Sequence, residues 1–222
     1  MNKYLKKNKI CAVIPFYNEC KTIEKIITQT LNFVDFVIAV DDGSVDNSAK
    51  EIPQNENIIL LSFKQNKGKG FALKAGFEKS ISLNTCCTIT LDADFQHPPE
   101  IIPALVSKLS YLDIVIGNRL TDTRSMPVRR IASNKITSFL LSIKTGIKLK
   151  DTQCGFRGFK TDILRNILPS HNGFEAESEI LVKAAGMNYK IGFVDIPAIY
   201  GNEKSKMKSF KAINGFLKVL FS

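Results

Sequence analysis

The chain has 222 residues, of which 44% are hydrophobic and 23% are charged, and its formal net charge is +10 at pH 7. This length and composition are typical of a folded soluble protein with a sizeable core. No apolar run reaches the roughly 18 to 20 residues that span a bilayer, and the basic opening lacks a secretory apolar segment, so we expect a cytoplasmic protein. The excess of Lys and Arg predicts an anionic partner: nucleic acid, a phospholipid surface or a phosphorylated substrate.

Short apolar runs alternate with helical patterns through the first half of the chain. The apolar runs lie at 10–15, 35–40, 57–63, 86–91 and 113–117, and the helical patterns between them lie at 19–31, 44–51, 70–82 and 98–109. Near-continuous hydrophobic runs are typical of strands buried on both faces of a parallel sheet. The alternation predicts a doubly wound α/β fold with a mostly parallel central sheet flanked by helices. Ligands of such sheets bind at the carboxyl ends of the strands, where this chain has PFYNE, DDGS, DAD and GNR.

The second half differs in that basic residues border apolar stripes. One stripe with helical spacing covers 128–143, a further helix is expected at 174–185, a strand at 189–195, and the tail at 207–222 is amphipathic and basic. Both stripes are compatible with packing against the sheet and with lying in a membrane interface. No linker, repeat or low-complexity tract divides the chain, so we expect one domain over 1–222 that ends in a basic amphipathic helix.

The five cysteines do not form a CxxC pair, and three of them lie in apolar runs. They are expected to be small buried hydrophobic residues in a reducing compartment. Only two histidines, His97 and His171, are present, which argues against a zinc site.

Asp92 and Asp94 stand one residue apart, directly after the fourth apolar run. Two carboxylates this close repel each other unless a cation compensates them. All-oxygen ligation suits Mg²⁺ or Mn²⁺, which takes its remaining ligands from phosphate oxygens. The pair is therefore a candidate metal site, with a solvated turn as the structural alternative. Gln96 occupies the position at which a DxDx[TV] phosphotransferase has Thr or Val, which argues against a phosphatase.

Two glycine-bearing loops precede predicted helices. In VDDGSVDNS (40–48), one of the carboxylates of Asp41 and Asp42 is a candidate for bonding a nucleobase or a ribose, and a turn with Ser44 as a helix cap is the structural alternative. The loop NKGKGFALKAG (66–76) resembles a phosphate loop. It lacks the Ser or Thr after Lys69 that the Walker pattern requires, and it lacks the third glycine of the dinucleotide fingerprint. Lys69 at the start of a helix can still lie close to an anion.

Four arginines follow the change of pattern near residue 120: Arg119, Arg129, Arg130 and Arg157. Arginine binds phosphate through paired hydrogen bonds. The four are candidates for contacts with a phosphorylated ligand, although any one of them alone could be a surface charge.

Nine segments occur along the chain in the order AVIPFYNE, VDDGS, NKGKGFALKAG, LDADFQHPPE, GNR, MPVRRIASN, DTQCGFRGFK, GFEAESEILVKAA and IPAIYGNEKSKM. Together they resemble the inverting glycosyltransferases of family two, in particular the branch similar to dolichol-phosphate mannose synthases and polyprenyl-phosphate glucosyltransferases. The resemblance runs from about residue 10 to residue 210. It implies a GT-A fold, a nucleotide-sugar donor and Mg²⁺ or Mn²⁺, with a donor half at 10–118 and an acceptor half at 119–206.

The resemblance also implies which residues bind the donor. Around the base and the ribose it places Pro15, Tyr17, Glu19 and Asp41. It makes Asp92 and Asp94 the pair that binds the metal and the diphosphate, and Asp94 a catalytic residue. Three further residues are expected near the diphosphate: Lys69, Gln96 and Lys206. Glu177 and Lys206 are similar to positions that close over the diphosphate, and the alternatives for them are Glu175 and Lys204.

The acceptor side is implied in the same way. Arg119, Arg129 and Arg130 look like contacts of an acceptor phosphate. Asp151 looks like the residue nearest the reacting centre, and Arg157 is expected to line the same site as a further catalytic residue.

A direct displacement follows from these charges. The metal on Asp92 and Asp94, together with Lys206, would neutralise the departing nucleoside diphosphate. A polyprenyl phosphate, with a second pKa of about 6, is largely dianionic at pH 7 and needs positioning by arginines more than a strong base. Asp151 would then orient or help desolvate it. The resemblance thus implies a hexosyltransferase, and direct displacement predicts inversion at C1, so that an α-linked donor would give a β-linked product.

Two other functions are compatible with the sequence. Transfer to a hydroxyl of a saccharide or a lipid-linked glycan would need a base, for which Asp151 is the candidate. A non-enzymatic basic protein would bind membranes or nucleic acid. The acidic pairs and arginines at strand ends argue against that open basic face, so no nucleic-acid partner is expected. The expected partners are a nucleotide-sugar, a polyprenyl phosphate and the inner face of a membrane, met peripherally, with a homo-oligomer left open.

Overall fold

The computed structural model describes residues 9–200 and 209–222. Within them one sheet contains seven strands: β1 (Ile10–Phe16), β2 (Phe36–Asp41), β3 (Ile58–Ser62), β4 (Cys87–Thr90), β5 (Ile114–Asn118), β6 (Arg157–Lys160) and β7 (Ile191–Asp195). The strand order is β3-β2-β1-β4-β6-β5-β7. Strand β6 is antiparallel to both of its neighbours, and all other pairs are parallel. The predicted mostly parallel sheet is confirmed, and every predicted strand is present.

Helices cover the sheet and connect its strands. They are α1 (Ile23–Thr30), α2 (Lys69–Ser82), α3 (Ile102–Lys108), α4 (Val128–Thr145), α5 (Leu164–Ile167), α6 (Ala176–Gly186) and α7 (Ser209–Phe221). The predicted C-terminal helix is α7. Lys204, Lys206 and Met207 lie outside the described residues. No helix in the described part of the chain is both long and apolar enough to cross a membrane.

The core forms around the central strands because both of their faces are covered. Residues 11–14 of β1 and 37–40 of β2 are fully buried, as their uninterrupted apolar sequences predict. Helix α2 approaches β1 closely at Gly76, where a Cβ would overlap the side chain of Val13. This close packing fixes the first turn of α2 next to the carboxyl ends of the strands.

The structure differs from the sequence analysis in two elements: one predicted helix does not form, and one strand was not predicted. The predicted helix at 44–51 is only a 3₁₀ turn at Ser48–Glu51, preceded by Asn47 in the left-handed region (φ 68°). Asp46 and Ser48 instead accept hydrogen bonds from the backbone N–H groups of Cys20 and Glu19. Strand β6 escaped prediction because RGFK is short and contains no apolar run; it forms by pairing between β4 and β5.

Helix α4 exposes most of its apolar stripe and buries polar residues, which is the reverse of the pattern in an ordinary surface helix. Its buried residues are Asn134, Ser138 and Leu141, and Ser138 hydrogen-bonds to both the backbone and the hydroxyl of Thr152. Its apolar stripe faces outward, with Phe139 64% exposed. Of the two alternatives that the sequence left open, packing of this stripe on the sheet is therefore wrong.

Buried Glu179 in α6 fixes the loop that precedes it. Its carboxylate accepts hydrogen bonds from the backbone N–H groups of Ser170 and His171 at 2.9 Å and pairs with Lys183 at 2.7 Å. The same loop continues to Asn172, whose carbonyl accepts the backbone N–H of Gly70 at 2.7 Å. Glu179 thereby holds the loop against which α2 begins.

We predict that Glu179→Gln lowers the free energy of unfolding at pH 7 by about 1–3 kcal/mol, since it removes a charged acceptor from buried donors. Burial alone would raise the pKa of Glu179, but Lys183 and the loop N–H groups outweigh it and lower the pKa from 4.5 to about 2. The stabilisation is therefore complete above pH 4.5 and is lost as the pH falls toward about 2.

Urea unfolding of wild type and variant between neutral and acidic pH checks this prediction. The difference between the two proteins should shrink as the pH falls. Glu78→Gln, at an exposed position of α2, is the control and should leave stability unchanged. A difference that stays constant down to low pH would contradict the assignment.

Candidate active site

The carboxyl ends of β1, β2, β4 and β5 lie along one edge of the sheet, and the polar segments predicted from the sequence follow them. Asp41 is paired in register with Phe16 at the ends of β2 and β1. Asp92 follows β4, and Arg119 follows Asn118 at the end of β5. Burial raises the pKa of Asp92, whereas nearby positive charges, chiefly Lys69 and to a lesser extent Arg119, lower it. The fold therefore gathers these segments into one site.

The loops after β1 and β2 bind each other. The hydroxyl of Ser44 accepts the N–H of Asn18, and the Asn18 side chain accepts the N–H of Val45, each at 2.9 Å. Asp41 is buried and accepts hydrogen bonds from the N–H of Ser44 at 2.8 Å and the hydroxyl of Ser62 at 3.0 Å. Its carboxylate is therefore held in one orientation at the strand end.

The other residues predicted to surround a base and a ribose lie beside this turn. Pro15 is buried within β1, whereas Tyr17 and Glu19 are half-buried in the loop that follows. Glu19 accepts a hydrogen bond from the hydroxyl of Thr22 at 3.1 Å. Of the predicted set, Tyr17 and Glu19 are thus partly open to solvent at the edge of the sheet.

Asp42 has a role that the sequence analysis missed. Its two oxygens accept the backbone N–H groups of Lys67 and Gly68, each at 2.8 Å. Burial raises the pKa of Asp42, although these hydrogen bonds oppose the rise. Gly68 has φ 107°, and a Cβ there would overlap the carbonyl of Asn172. The glycine-rich loop is therefore shaped by Asp42 from one side and by the 170–172 loop from the other.

Lys69 in the first turn of α2 lies between two carboxylates. Its Nζ is 2.6 Å from Oδ1 of Asp92 and 3.1 Å from Oε1 of Glu177. Burial alone would raise the pKa of Asp92, but the charge of Lys69 outweighs it and the pKa falls to about 2. In this structure the cation that compensates Asp92 is the ammonium group of Lys69. Glu177, one of the two alternatives weighed for this position, is the one that contacts the cluster.

Gly155 closes the other side of this cluster. A Cβ at this position would lie 2.7 Å from Oδ2 of Asp92, 3.0 Å from Nζ of Lys69 and 3.1 Å from Oε1 of Glu177. The backbone at Gly155 therefore lies directly against the charged groups, and a side chain at this position would have to displace Asp92. The sequence signal for this close approach was the Gly in CGFRGF, which the sequence analysis did not assign.

His97 supports the turn that carries the two aspartates. Its Nδ1 accepts the backbone N–H of Asp92 at 3.1 Å, and its ring stacks on Phe156. Burial lowers the pKa of His97 to about 4, so the ring is neutral at pH 7. Within the turn, Asp94 accepts the N–H of Gln96 at 3.1 Å. This role could not be predicted, since a single histidine in a loop belongs to no sequence pattern.

Arg119 and Asp151 form a buried ion pair at the end of β5. Nε and Nη2 of Arg119 donate to the two carboxylate oxygens at 2.9 and 3.0 Å, and the backbone N–H of Arg119 donates at 3.1 Å. The side-chain amide of Asn134 in α4 donates to the same carboxylate at 2.6 Å. Burial would raise the pKa of Asp151, but these donors outweigh it and the pKa lies below its ordinary value.

The remaining arginines separate into three environments. Arg130 is half-buried at the start of α4. Burial raises the pKa of Tyr200, and the charges of Arg119 and Arg130 oppose that rise. Arg129 is exposed on the outer side of α4. Arg157 is 1% exposed and donates to the carbonyls of Thr152, Cys154 and Glu177 at 2.7–2.8 Å.

The roles predicted for two of these arginines stay predictions. Arg157 supports the backbone of the site from within the core, where three carbonyls accept hydrogen bonds from its guanidinium. Arg129 is exposed and, at about 100° per residue, lies on a different side of α4 from Asn134, which contacts Asp151.

The donor set around Asp92 suits a hard divalent cation that arrives with other ligands. Among the described residues, no group of three or more His, Cys, Asp or Glu side chains could hold a metal ion. Asp92 and Asp94 offer carboxylate oxygens, as Mg²⁺ and Mn²⁺ prefer, and such ions complete their shells with water and phosphate oxygens. The contact between the ammonium of Lys69 and Asp92 shows that this carboxylate already attracts a cation.

Comparison with known proteins identifies a family model and relatives that are similar to this chain. The family model described as "Glycosyl transferase family 2" matches residues 11–168. A UDP-N-acetylglucosamine–dolichyl-phosphate N-acetylglucosaminyltransferase of Methanococcus voltae is 31% identical, over 93% of this chain and 92% of that protein. An undecaprenyl-phosphate 4-deoxy-4-formamido-L-arabinose transferase of Proteus mirabilis is 33% identical, over 77% of this chain and 55% of that protein.

The solved structures show the fold. Glucosyl-3-phosphoglycerate synthase from Mycobacterium tuberculosis, in complex with Mn²⁺, UDP and phosphoglyceric acid, superposes with a TM-score of 0.76. The alignment covers 96% of this chain and 79% of that chain at 20% identity. The predicted GT-A fold is confirmed.

We predict that Gly155→Ala lowers the free energy of unfolding by about 1–3 kcal/mol, because the added methyl group separates Lys69 from Asp92 and Glu177. Urea unfolding measures the change. Gly186→Ala is the matched control, since a Cβ at Gly186 meets nothing within 4 Å and should leave stability equal or raise it by up to about 1 kcal/mol. Equal effects of the two substitutions would refute the close approach at Gly155.

Proposed function

The chain belongs to glycosyltransferase family 2, and we propose that it transfers a hexose from a nucleoside diphosphate sugar to the phosphate of a polyprenyl phosphate. The names of two relatives support the acceptor class, since one contains dolichyl phosphate and the other undecaprenyl phosphate. A lipid acceptor of this kind lies in a membrane, so the enzyme would act as a peripheral protein at a membrane surface.

We place the donor across the ends of β1, β2 and β4. Asp41, fixed by Ser44 and Ser62, would bond the base or the ribose, with Pro15, Tyr17 and Glu19 around it. Asp92 and Asp94 would hold Mg²⁺ or Mn²⁺, with Gln96 beside them. A bound ion of this kind neutralises the negative charge that develops on a diphosphate leaving group.

Lys69 would serve the same diphosphate from the protein side. It is already fixed by two carboxylates, so its ammonium needs no reorganisation to stabilise negative charge in the site. Lys206 remains a proposal from the family resemblance, as a second cation that closes over the diphosphate.

The hydrogen bonds of Asp151 favour a phosphate acceptor over a hydroxyl acceptor. A hydroxyl acceptor needs a base, but Asp151 is 0% exposed and receives four N–H donors from Arg119 and Asn134. Those donors lower its pKa, which makes it a poor base. A phosphate acceptor instead needs fixed cations, and Arg119 with the nearby Arg130 supplies them.

The reaction then needs no proton transfer from the acceptor. A phosphate monoester with a second pKa of about 6 is largely dianionic at pH 7. One of its oxygens forms a bond to C1 of the sugar while the bond from C1 to the diphosphate breaks on the opposite face. The electron pair leaves with the nucleoside diphosphate, and C1 is inverted. Arg119 would hold the acceptor phosphate in line, and Asp151 would hold Arg119.

Incubation with radiolabelled UDP- and GDP-sugars, Mg²⁺ or Mn²⁺ and undecaprenyl or dolichyl phosphate tests the proposal. Label should enter the lipid extract, and EDTA or Asp94→Asn should reduce it by about 10²-fold or more. Glu78→Gln, in an exposed position away from the site, should retain full activity. No label in lipid with any donor, but label on an added saccharide, would favour the hydroxyl acceptor.

Asp151→Asn distinguishes the two acceptors by kinetics. If Asp151 positions Arg119, the variant should raise KM for the lipid phosphate about tenfold or more. The rise in rate near pH 6, which reports ionisation of the phosphate, should persist. If Asp151 were the base, kcat would fall by about 10²–10⁴-fold and the pH dependence that it causes would disappear.

A further inference from the structure

The outer face of α4 is apolar along its whole length. Val128, Ile136, Phe139 and Ile143 are between 59% and 80% exposed. At about 100° per residue these side chains project from one side of the helix, over a length of roughly 22 Å. The inner side instead buries Asn134 and Ser138 together with Leu141. An exposed apolar stripe of this kind is uncommon on a monomeric protein and marks an interaction surface.

Helix α7 packs beside α4 and adds to the exposed apolar surface. Val219 is buried against the protein, and Phe216 packs against the core. Three other apolar side chains of α7 are exposed: Ile213 (59%), Leu217 (41%) and Phe221 (81%). We refer to these three residues and the four of α4 as the docking face.

The charges around the docking face are mostly positive, although Arg124 near the start of α4 pairs with Asp122. The segment 123–150 contains seven Lys and Arg residues and no Asp or Glu. Lys135 and Lys144 are exposed and, at helical spacing, lie on opposite borders of the apolar stripe. In α7, Lys218 is exposed and no acidic residue occurs.

Of the partners that could cover an apolar face, the apolar stripe and the basic residues together favour an anionic lipid surface. A second copy would bring like charges together, which opposes association. Nucleic acid would match the charge but offers no apolar layer for Phe139 and Ile136. A bilayer with anionic headgroups satisfies both, because apolar side chains enter the acyl boundary while Lys and Arg stay among the headgroups.

The opposite side of the same helix reaches the catalytic centre. Asn134, on the inner side of α4, donates to Asp151, which holds Arg119. An α-helix with its side chains is about 10–12 Å across. A bilayer in contact with the docking face would therefore lie about one helix diameter from the proposed acceptor-phosphate site.

We propose that the docking face binds the surface of an anionic phospholipid bilayer and so places the acceptor site at the level of the lipid headgroups. The role in catalysis rests on the proposed function, whereas the binding itself does not. Insertion is shallow, by side chains of helices that lie in the plane of the membrane.

Co-sedimentation of the full chain with vesicles tests the binding without donor or acceptor. The vesicles contain phosphatidylcholine alone or with about 30% phosphatidylglycerol. We expect wild type to bind the anionic vesicles at least about tenfold more strongly, with weakening at high salt. Ile136→Asp/Phe139→Asp should reduce this binding about tenfold or more, since two buried apolar contacts are lost. Lys135→Glu/Lys144→Glu should abolish the preference for anionic lipid.

Tyr111→Asp/Met187→Asp is the matched control. Both residues are exposed apolar side chains outside the docking face, 60% and 48% exposed, and their replacement should not change vesicle binding. The substituted positions of all variants are exposed, and thermal unfolding verifies that they fold. Equal loss in the control, or undiminished binding by Ile136→Asp/Phe139→Asp, would overturn the proposal.

Two further measurements separate the alternatives. Light scattering that shows a wild-type dimer, with a monomer in Ile136→Asp/Phe139→Asp, would identify a second copy as the occupant and overturn the proposal. A water-soluble, short-chain prenyl phosphate should be glycosylated equally by wild type and this variant, whereas the long-chain lipid in vesicles should be used about tenfold less by the variant. Vesicle binding without any transfer would refute the proposed function alone.

Discussion

The ammonium of Lys69 between Asp92 and Glu177 is the interaction on which the site depends, because it joins three distant parts of the chain. Asp92 follows β4, Lys69 begins α2 and Glu177 lies in the first turn of α6. Parallel strands bring carboxylates to one edge of the sheet, and their repulsion must be offset there. The loops around Lys69 are shaped accordingly, by Asp42 on one side and by the loop that Glu179 holds on the other.

The second charged pair of the site is the buried ion pair between Arg119 and Asp151. It depends on α4, whose Asn134 completes the carboxylate's hydrogen bonds. Because Asn134 and Ser138 face the interior together with Leu141, the apolar residues on the other side of α4 face outward. The outward direction of the apolar side of α4 is thus a consequence of the site. The same helix positions Arg119 through Asn134 and Asp151 and presents the surface that we propose meets the membrane.

Much of this arrangement was accessible from the sequence because it is local. Most of the strands are continuous apolar runs, and Asp41, Asp92 and Arg119 lie at or just after the ends of three of them. Their convergence follows from the topology of a parallel sheet. Strand β6 and the turn at Ser48–Glu51 were not accessible, because RGFK forms a strand only between two partners, and Asp46 and Ser48 bond a loop almost thirty residues away in sequence.

The sequence by itself determined the fold class, the strand ends and the residue types available for binding diphosphate and phosphate. Only the tertiary structure decided which groups those residues contact: Lys69 binds carboxylates, Arg157 binds three carbonyls in the core and Gly155 touches a charged cluster. It also decided which side of α4 faces out. A helical stripe fixes that one side is apolar, but the direction of that side depends on what the polar residues can bind, and their partner, Asp151, comes from another part of the chain.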